Sequence, residues 1–227
     1  QYLSNVLFGP HTDSGLLAQI RDDVTARGHC RVDTLLYSKT GHPLWVSMVI
    51  NASTEDSGGP GGSITVITDI TLTKMHEVLQ KRVLEGMVNE LPLANLMTLV
   101  CREVERIAPE VTASILGVDE RGLLHPLAAP GLPPDICAAI EGLPIGPLAG
   151  SCGTAAFTGE PVVVTDITTD PRWADYKVLF APTGLRACWS SPILDHHGKV
   201  VGTFAFYFKD ARGPDALHQR LVGACLH

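Results

Sequence analysis

Apolar residues recur along this chain in two rhythms. In residues 14–27, "SGLLAQIRDDVTAR", Leu17, Ile20 and Val24 fall on one helical face, with Ser14 as a cap and Gly28 as a stop. The period then shortens to two: "CRVDTLLYSKTGHPLWVSMVINAS" predicts two strands with "KTGHP" as the turn between them. "EDSGGPGGS" reads as loop, and the β-branched "ITVITDIT" as a third strand. From Leu72 to Leu91 the rhythm is helical again, with Leu72, Met75, Leu79, Val83, Met87 and Leu91 in one stripe. Such a stripe needs a partner, either its own domain or a second copy in a parallel helix pair.

The remainder alternates between the two periods. "LPLANLMTLVCREVERIAPE" predicts an amphipathic helix, and "VTASILGVDERGLLHPLAAP" two strands turning at Glu120 to Gly122. "PPDICAAIEGL" is helix-like, "EPVVVTDI" a buried strand, and "ACWSSPILDHHGKVVGTFAFYF" a hairpin turning at "DHHGK". A closing helix begins near Pro214. Strands and helices in this order predict an α+β fold of two domains, each an antiparallel sheet with flanking helices, joined by a helix.

Composition narrows the functions on offer. Of 227 residues, 45% are hydrophobic, and the formal net charge of -7 leaves no basic surplus for nucleic acid or an anionic membrane. A partner protein or a small-molecule ligand is expected instead. No apolar run approaches the roughly 20 residues needed to span a bilayer, and residues 1–20 lack the pattern of a signal peptide, so a cytoplasmic chain is expected. Six cysteines without CxxC spacing fit reduced thiols rather than a disulfide framework or zinc site. "DALHQRLVGACLH" stops within a helical pattern, which reads as a piece of a longer chain.

Candidate chemistry is sparse. Cys152 stands between Ser151 and Gly153 where a loop can enter a helix, a setting that lowers a thiol pKa; the commoner outcome there is a small buried residue in a tight turn. Cys188, beside Trp189, can pair with Cys152 under oxidation if both face one cavity. In "DPRWADY", Trp173 and Tyr176 are three apart and share a face on one helical turn, either as pocket walls or as caps on the core. The histidines form no HxH or HExxH group, and there is no P-loop, GxGxxG or GxSxG, so neither a metal nor a catalytic constellation is expected.

Two family resemblances follow from the motifs. Residues 9–73, with "GPHTD", "KTGHPLWVSMVI" and "ITVITDITLTK", resemble the C-terminal half of a PAS domain with its PAC segment. Residues 93–227, with "GSCGTAAFTGEPVVVTDITTDPRW", "GLRACWSSPI" and "GKVVGTFAFYF", resemble a GAF domain of the bacterial sensor type. The order is similar to the sensory part of cyclic-di-GMP signalling proteins with GGDEF and EAL domains, a group that includes oxygen-sensing phosphodiesterases. The resemblance implies a partial PAS domain over 1–71, a signalling helix over 72–92 and a GAF domain over 93–227. It implies a non-catalytic regulatory module that binds a small ligand, forms a homodimer through the linker helix and controls a C-terminal diguanylate cyclase or phosphodiesterase domain in the same chain. Haem or flavin in the PAS pocket implicates His11 and Trp45; the GAF pocket implicates Cys152, Trp173, Tyr176 and Cys188. The alternative is a thiol redox switch, or an enzyme similar to the GAF-type free methionine sulfoxide reductases, using Cys152 and Cys188. The further cysteines of those reductases have no counterpart in "DPRWADYKVLFAPTGLR".

Overall fold

Glycine 28 ends the first helix as its sequence position suggests. In this computed structural model, which describes residues 12, 15–38, 43–52 and 62–226, α1 (Leu16–Arg27) stops at Gly28 with φ 73, and the Gly28 amide bonds the Val24 carbonyl at 2.9 Å. The inner face differs by one residue from expectation: Leu16 is buried and Leu17 is 52% exposed. Leu16, Ile20 and Val24 are spaced by four, which keeps them on one stripe. Ser14 and most of the expected "KTGHP" turn lie outside the described residues.

The chain divides into two compact units, residues 1–78 and 79–227. In the first, β1 (His29–Tyr37), β2 (Pro43–Ala52) and β3 (Ser63–Asp69) form an antiparallel sheet in that order. Cys30, Leu36, Val46, Met48 and Ile50 make its core, with Ile20 and Val24 of α1 packed on them. Every residue of β3 is exposed.

Helix α2 (Thr71–Val88) follows and stops short of Leu91. Glu90 takes a positive φ of 52, and the Leu91 amide turns back to the Gly86 carbonyl at 2.9 Å. This left-handed closure ends the helix, and Pro92 disfavours helical backbone at Leu91 beyond it. Of the expected stripe, the described side chains are Val83, which is half-buried, and Leu91, which is exposed.

The second unit contains α3 (Leu93–Ile107), β4 (Val111–Val118), β5 (Leu123–Ala128), α4 (Pro134–Ile140) and a two-residue β6 (Leu143–Pro144). After these come α5 (Gly150–Thr158), β7 (Val162–Val164), α6 (Lys177–Phe180), β8 (Ala187–Leu194), β9 (Val200–Phe208) and α7 (Ala216–Leu226). The strands form one antiparallel sheet in the order β6-β5-β4-β9-β8-β7. Local chemistry fixes its turns: Asp195 accepts from the amides of His197 and Lys199 in the β8–β9 turn, and Asp119 accepts from those of Arg121 and Leu123 in the β4–β5 turn. The expected strand over "EPVVVTDI" shrinks to Val162–Val164, because Asp166 is committed to a turn, accepting from Thr168.

Both faces of the sheet centre are buried. One carries Ala113, Ile115, Phe204, Phe206 and Phe208, and α7 docks there with the His218 ring edge-on to Phe206 and Phe208. Burying a phenylalanine stabilises by roughly 1.5–3 kcal/mol, so these three rings anchor that face. The other face presents Ser114, Leu116, Cys188, Ser190, Thr203, Ala205 and Tyr207, by the period of two and the strand register. Helix α5 packs over β8 and β9.

Candidate functional site

The site is built where the first turn of α5 meets the polar face of the sheet. Gly150 enters the helix at φ 64, a left-handed conformation that favours glycine, with the Trp173 and Tyr176 rings at van der Waals distance beside it. Residues Gly150 to Ala156 are all buried, which makes α5 a core helix rather than a surface one. Its second residue, Ser151, accepts a hydrogen bond from Trp173 Nε1 at 3.0 Å and donates to the Cys188 carbonyl at 3.5 Å. One buried hydroxyl therefore joins α5 to both the sheet and the segment after β7.

That segment is fixed by its acids. Asp166 pairs with Arg186 at 2.7 Å, and the guanidinium first, then Thr168, holds its carboxyl down at about 2. Asp170 caps a short 3-10 turn over Pro171–Trp173 and forms a two-pronged bond with Arg172 at 2.9 and 2.7 Å, which lowers its pKa. Trp173 is thereby turned inward and buried, edge-on to Phe180 with ring centres 4.9 Å apart, and Phe180 stacks on Tyr207 at 5.8 Å.

These elements enclose a cavity of about 40 Å³, lined by Leu116, Leu124, Ile140, Leu143, residues 149–152, Trp173, Tyr176, Phe180 and Tyr207. It has room for roughly two or three waters and is far below the 300–1,000 Å³ usual for drug-sized ligands. The walls are mostly apolar, with the Cys152 thiol and Tyr207 hydroxyl 3.7 Å apart as the polar spot.

The structure brings Cys152, Trp173 and Tyr176 to one cavity and sets Cys188 against Cys152 without reaching the lining itself. Trp173 and Tyr176 do not share a regular helical turn as expected: Trp173 ends the 3-10 turn and Tyr176 caps α6. Both nevertheless face the cavity, so wall and core cap are one role here. Within the first unit, Trp45 is half-buried on β2 opposite Leu35, and its backbone is held by Thr71 at 3.0 Å. His11 lies outside the described residues. Among the described residues no group of three or more metal-type ligands occurs, and no helix is long and apolar enough to cross a membrane.

The electrostatics single out one thiol. Cys152 is brought down to about 7, first by the Cys188 S–H donating to its thiolate and then by Ser190, Tyr207 and Thr203, against the opposing effect of burial. Its place in the first turn of α5 adds the favourable end of the helix dipole. Cys188 is pushed up, first by burial and then by the neighbouring sulfur. The Ser190 and Thr203 hydroxyls are buried and without a hydrogen-bond partner, on the same sheet face as Cys188 and Tyr207, which leaves them available to a thiolate or a small ligand there. Cys101 and Cys225 are raised by burial, Cys225 to about 12.

Sequence reasoning missed Ser151, Phe180, Ser190, Thr203 and Tyr207. A signal was present in "CWSSP" and "GTFAFYF", where every second residue (Cys188, Ser190; Thr203, Ala205, Tyr207) faces the site.

An antiparallel six-stranded sheet with helices on its faces and a small pocket beneath a short buried helix defines a GAF-type fold. The chain belongs to the GAF domain family, which matches residues 90–225. It is 33% identical over 153 residues to the methyl sulfide methyltransferase-associated sensor of Methanosarcina acetivorans, covering 66% of this chain. The match covers 15% of that relative's length, so this chain corresponds to a small part of it. Among solved structures, the GAF domain of a phosphoenolpyruvate-protein phosphotransferase from Coxiella burnetii is similar at 17% identity and a TM-score of 0.51, covering 68% of this chain and 86% of that one. The reduced form of fRMsr of Staphylococcus aureus is similar at 16% identity and 0.51, covering 66% and 90%. The free methionine-R-sulfoxide reductase from Neisseria meningitidis, in complex with its substrate, is similar at 17% and 0.50, covering 68% and 83%. At these identities the likeness is one of fold.

Proposed function

We propose that this chain is the sensory, non-catalytic part of a longer signalling protein and that its signal enters at the cavity beneath α5. The observation that carries the reading is the cavity's small size, about 40 Å³, and its aromatic wall of Trp173, Tyr176 and Phe180. An amino-acid substrate such as methionine sulfoxide does not fit such a space, whereas a small signal that displaces the aromatic roof changes the packing of α5. A relative named as a sensor, matched over only 15% of its length, supports the assignment to a sensory segment.

The wider circuit is proposed on the resemblance set out above. The first unit is a partial PAS domain, α2 is the signalling helix of a homodimer, and the output is a cyclic-di-GMP synthesis or hydrolysis domain in the same chain. Six free thiols support a reducing, cytoplasmic setting.

Incubation with free methionine sulfoxide and dithiothreitol separates the sensor from the reductase reading. The sensor reading expects methionine release no faster than without protein. Turnover lost on Cys152→Ala would establish an enzyme.

A further inference from the structure

The cavity meets one thiol. Cys152 lines it, while Cys188, on β8 opposite Tyr207, belongs to the same buried cluster as Cys152 and stands off the lining. The Ser151–Cys188 hydrogen bond of 3.5 Å ties the first turn of α5 to β8 at this same point. Around the Cys152 sulfur stand the Tyr207 hydroxyl at 3.7 Å and, on the same sheet face, the buried hydroxyls of Ser190 and Thr203, which have no hydrogen-bond partner. A thiol surrounded by donors, facing a space of a few waters, is suited to a reagent of water's own size. Hydrogen peroxide has two heavy atoms; an amino-acid sulfoxide has about ten.

We propose that this site senses small peroxides, with Cys152 oxidised through the cavity and then captured by Cys188 as a disulfide beneath α5. The inference rests on the reading of the cavity as the point of signal entry, and it names the class of signal. In the first step the Cys152 thiolate attacks one peroxide oxygen and the O–O bond breaks. Sulfur is oxidised by two electrons to the sulfenic acid, and the departing hydroxide takes up the proton released on thiol ionisation, leaving as water. In the second step Cys188 sulfur attacks Cys152 sulfur, the S–O bond breaks, and the hydroxyl leaves as water with the Cys188 proton. Two thiols and one peroxide thus give one disulfide and two waters. A dithiol reductant reverses the change by thiol–disulfide exchange. A new bond between α5 and β8 acts on Ser151, and through it on Trp173 in the cavity roof.

The other cysteines supply an internal control. Cys101 and Cys225 lie near each other, but burial raises both and neither faces this cavity.

The test uses the reduced 227-residue chain, treated with hydrogen peroxide at one to ten equivalents and mapped by non-reducing peptide mass spectrometry. The proposal expects a Cys152–Cys188 cross-link, reversed by dithiothreitol and formed at least about tenfold faster than oxidation of Cys101 or Cys225. Cys188→Ala is expected to leave a sulfenic acid on Cys152 that dimedone captures, and Cys152→Ala to leave Cys188 reduced; Cys188→Ser replaces the former if it misfolds. A Cys152 that stays reduced while Cys101 or Cys225 oxidises, or a disulfide between other cysteines, overturns the proposal. Labelling of Cys152 by methyl methanethiosulfonate in the same samples separates the two readings. If the small reagent enters and peroxide fails, only the peroxide assignment is lost; if neither enters, the cavity is not an entry point at all.

Discussion

Replacing Cys188 with alanine tests the electrostatic account of Cys152 at its largest contribution. In the wild-type protein the Cys188 S–H is the first of the groups that hold the Cys152 thiol below its ordinary range. A hydrogen bond to a charged group contributes about 1.5–3 kcal/mol, and a thiol is a weak donor, so a value near about 1.4 kcal/mol is appropriate. That corresponds to about one pKa unit, since each unit is 1.36 kcal/mol. Cys188→Ala is therefore expected to raise the Cys152 midpoint by about one unit and to cut its thiolate fraction about tenfold at pH values below that midpoint. The rate of Cys152 alkylation by iodoacetamide, followed by peptide mass spectrometry from pH 5 to 10, reads the midpoint directly.

The same shift has a consequence for stability. Because the folded pKa lies below that of an ordinary thiol, the unfolded chain holds more protons between about 7 and 9, and stability from this group rises with pH across that window. It is fully present above 9 and lost as pH falls through 7. Cys188, raised by burial, stays protonated throughout. A wild-type midpoint at or above 9, or an unchanged midpoint in Cys188→Ala, would refute the reasoning.

Three further outcomes follow from the packing. Ser151→Ala leaves the buried Trp173 Nε1 without its acceptor and should cost about 2 kcal/mol, read as a urea midpoint lowered by about 1 M; a change under about 0.5 kcal/mol would mean that this hydroxyl does not hold the roof. His218 is fully buried, with Nε2 3.0 Å from Glu110 and Nδ1 accepting from the Asp215 amide at 3.1 Å, so His218→Ala should cost about 3 kcal/mol in chemical unfolding. His218→Gln should recover part of that loss, and equal effects would mean that volume alone matters. In Gly202→Ala the new Cβ would stand 2.5 Å from the Leu116 carbonyl oxygen across the β4–β9 ladder, and a loss of about 3 kcal/mol or failure to fold is expected; a wild-type melt would contradict this geometry.

The ordered elements were legible wherever chemistry was local. Gly28, the "DHHGK" turn and the β4–β5 turn announce themselves through glycine conformation and aspartate side chains that bond their own backbone. The aromatic pair of "DPRWADY" was legible as a pocket candidate because Trp173 and Tyr176 stand on a polar segment. What escaped was the polar floor. The central parts of β8 and β9 are buried on both faces, so Ser190 and Thr203 sit in runs whose period of two is masked by apolar neighbours. The character of Cys152 was legible only in its place at a helix entry, since no charged residue near it in sequence sets it. Its partners are neutral donors as far as 55 positions away, at Tyr207, brought in only by the sheet. Leu16 and Leu17 show the smaller version of the problem: adjacent leucines leave the helix phase undecided by about 100°.

The central claim is that a small signal reaches Cys152 through a narrow cavity, and the most direct measurement is size-selective access. Cys152 labelling rates would be compared for methyl methanethiosulfonate and a bulky maleimide at pH 7, in the wild type and in Tyr176→Ala. The account predicts fast labelling by the small reagent, at least about a hundredfold slower labelling by the bulky one, and a narrowing of that ratio when Tyr176 is removed from the wall. Equal rates for both reagents in the wild type would contradict it.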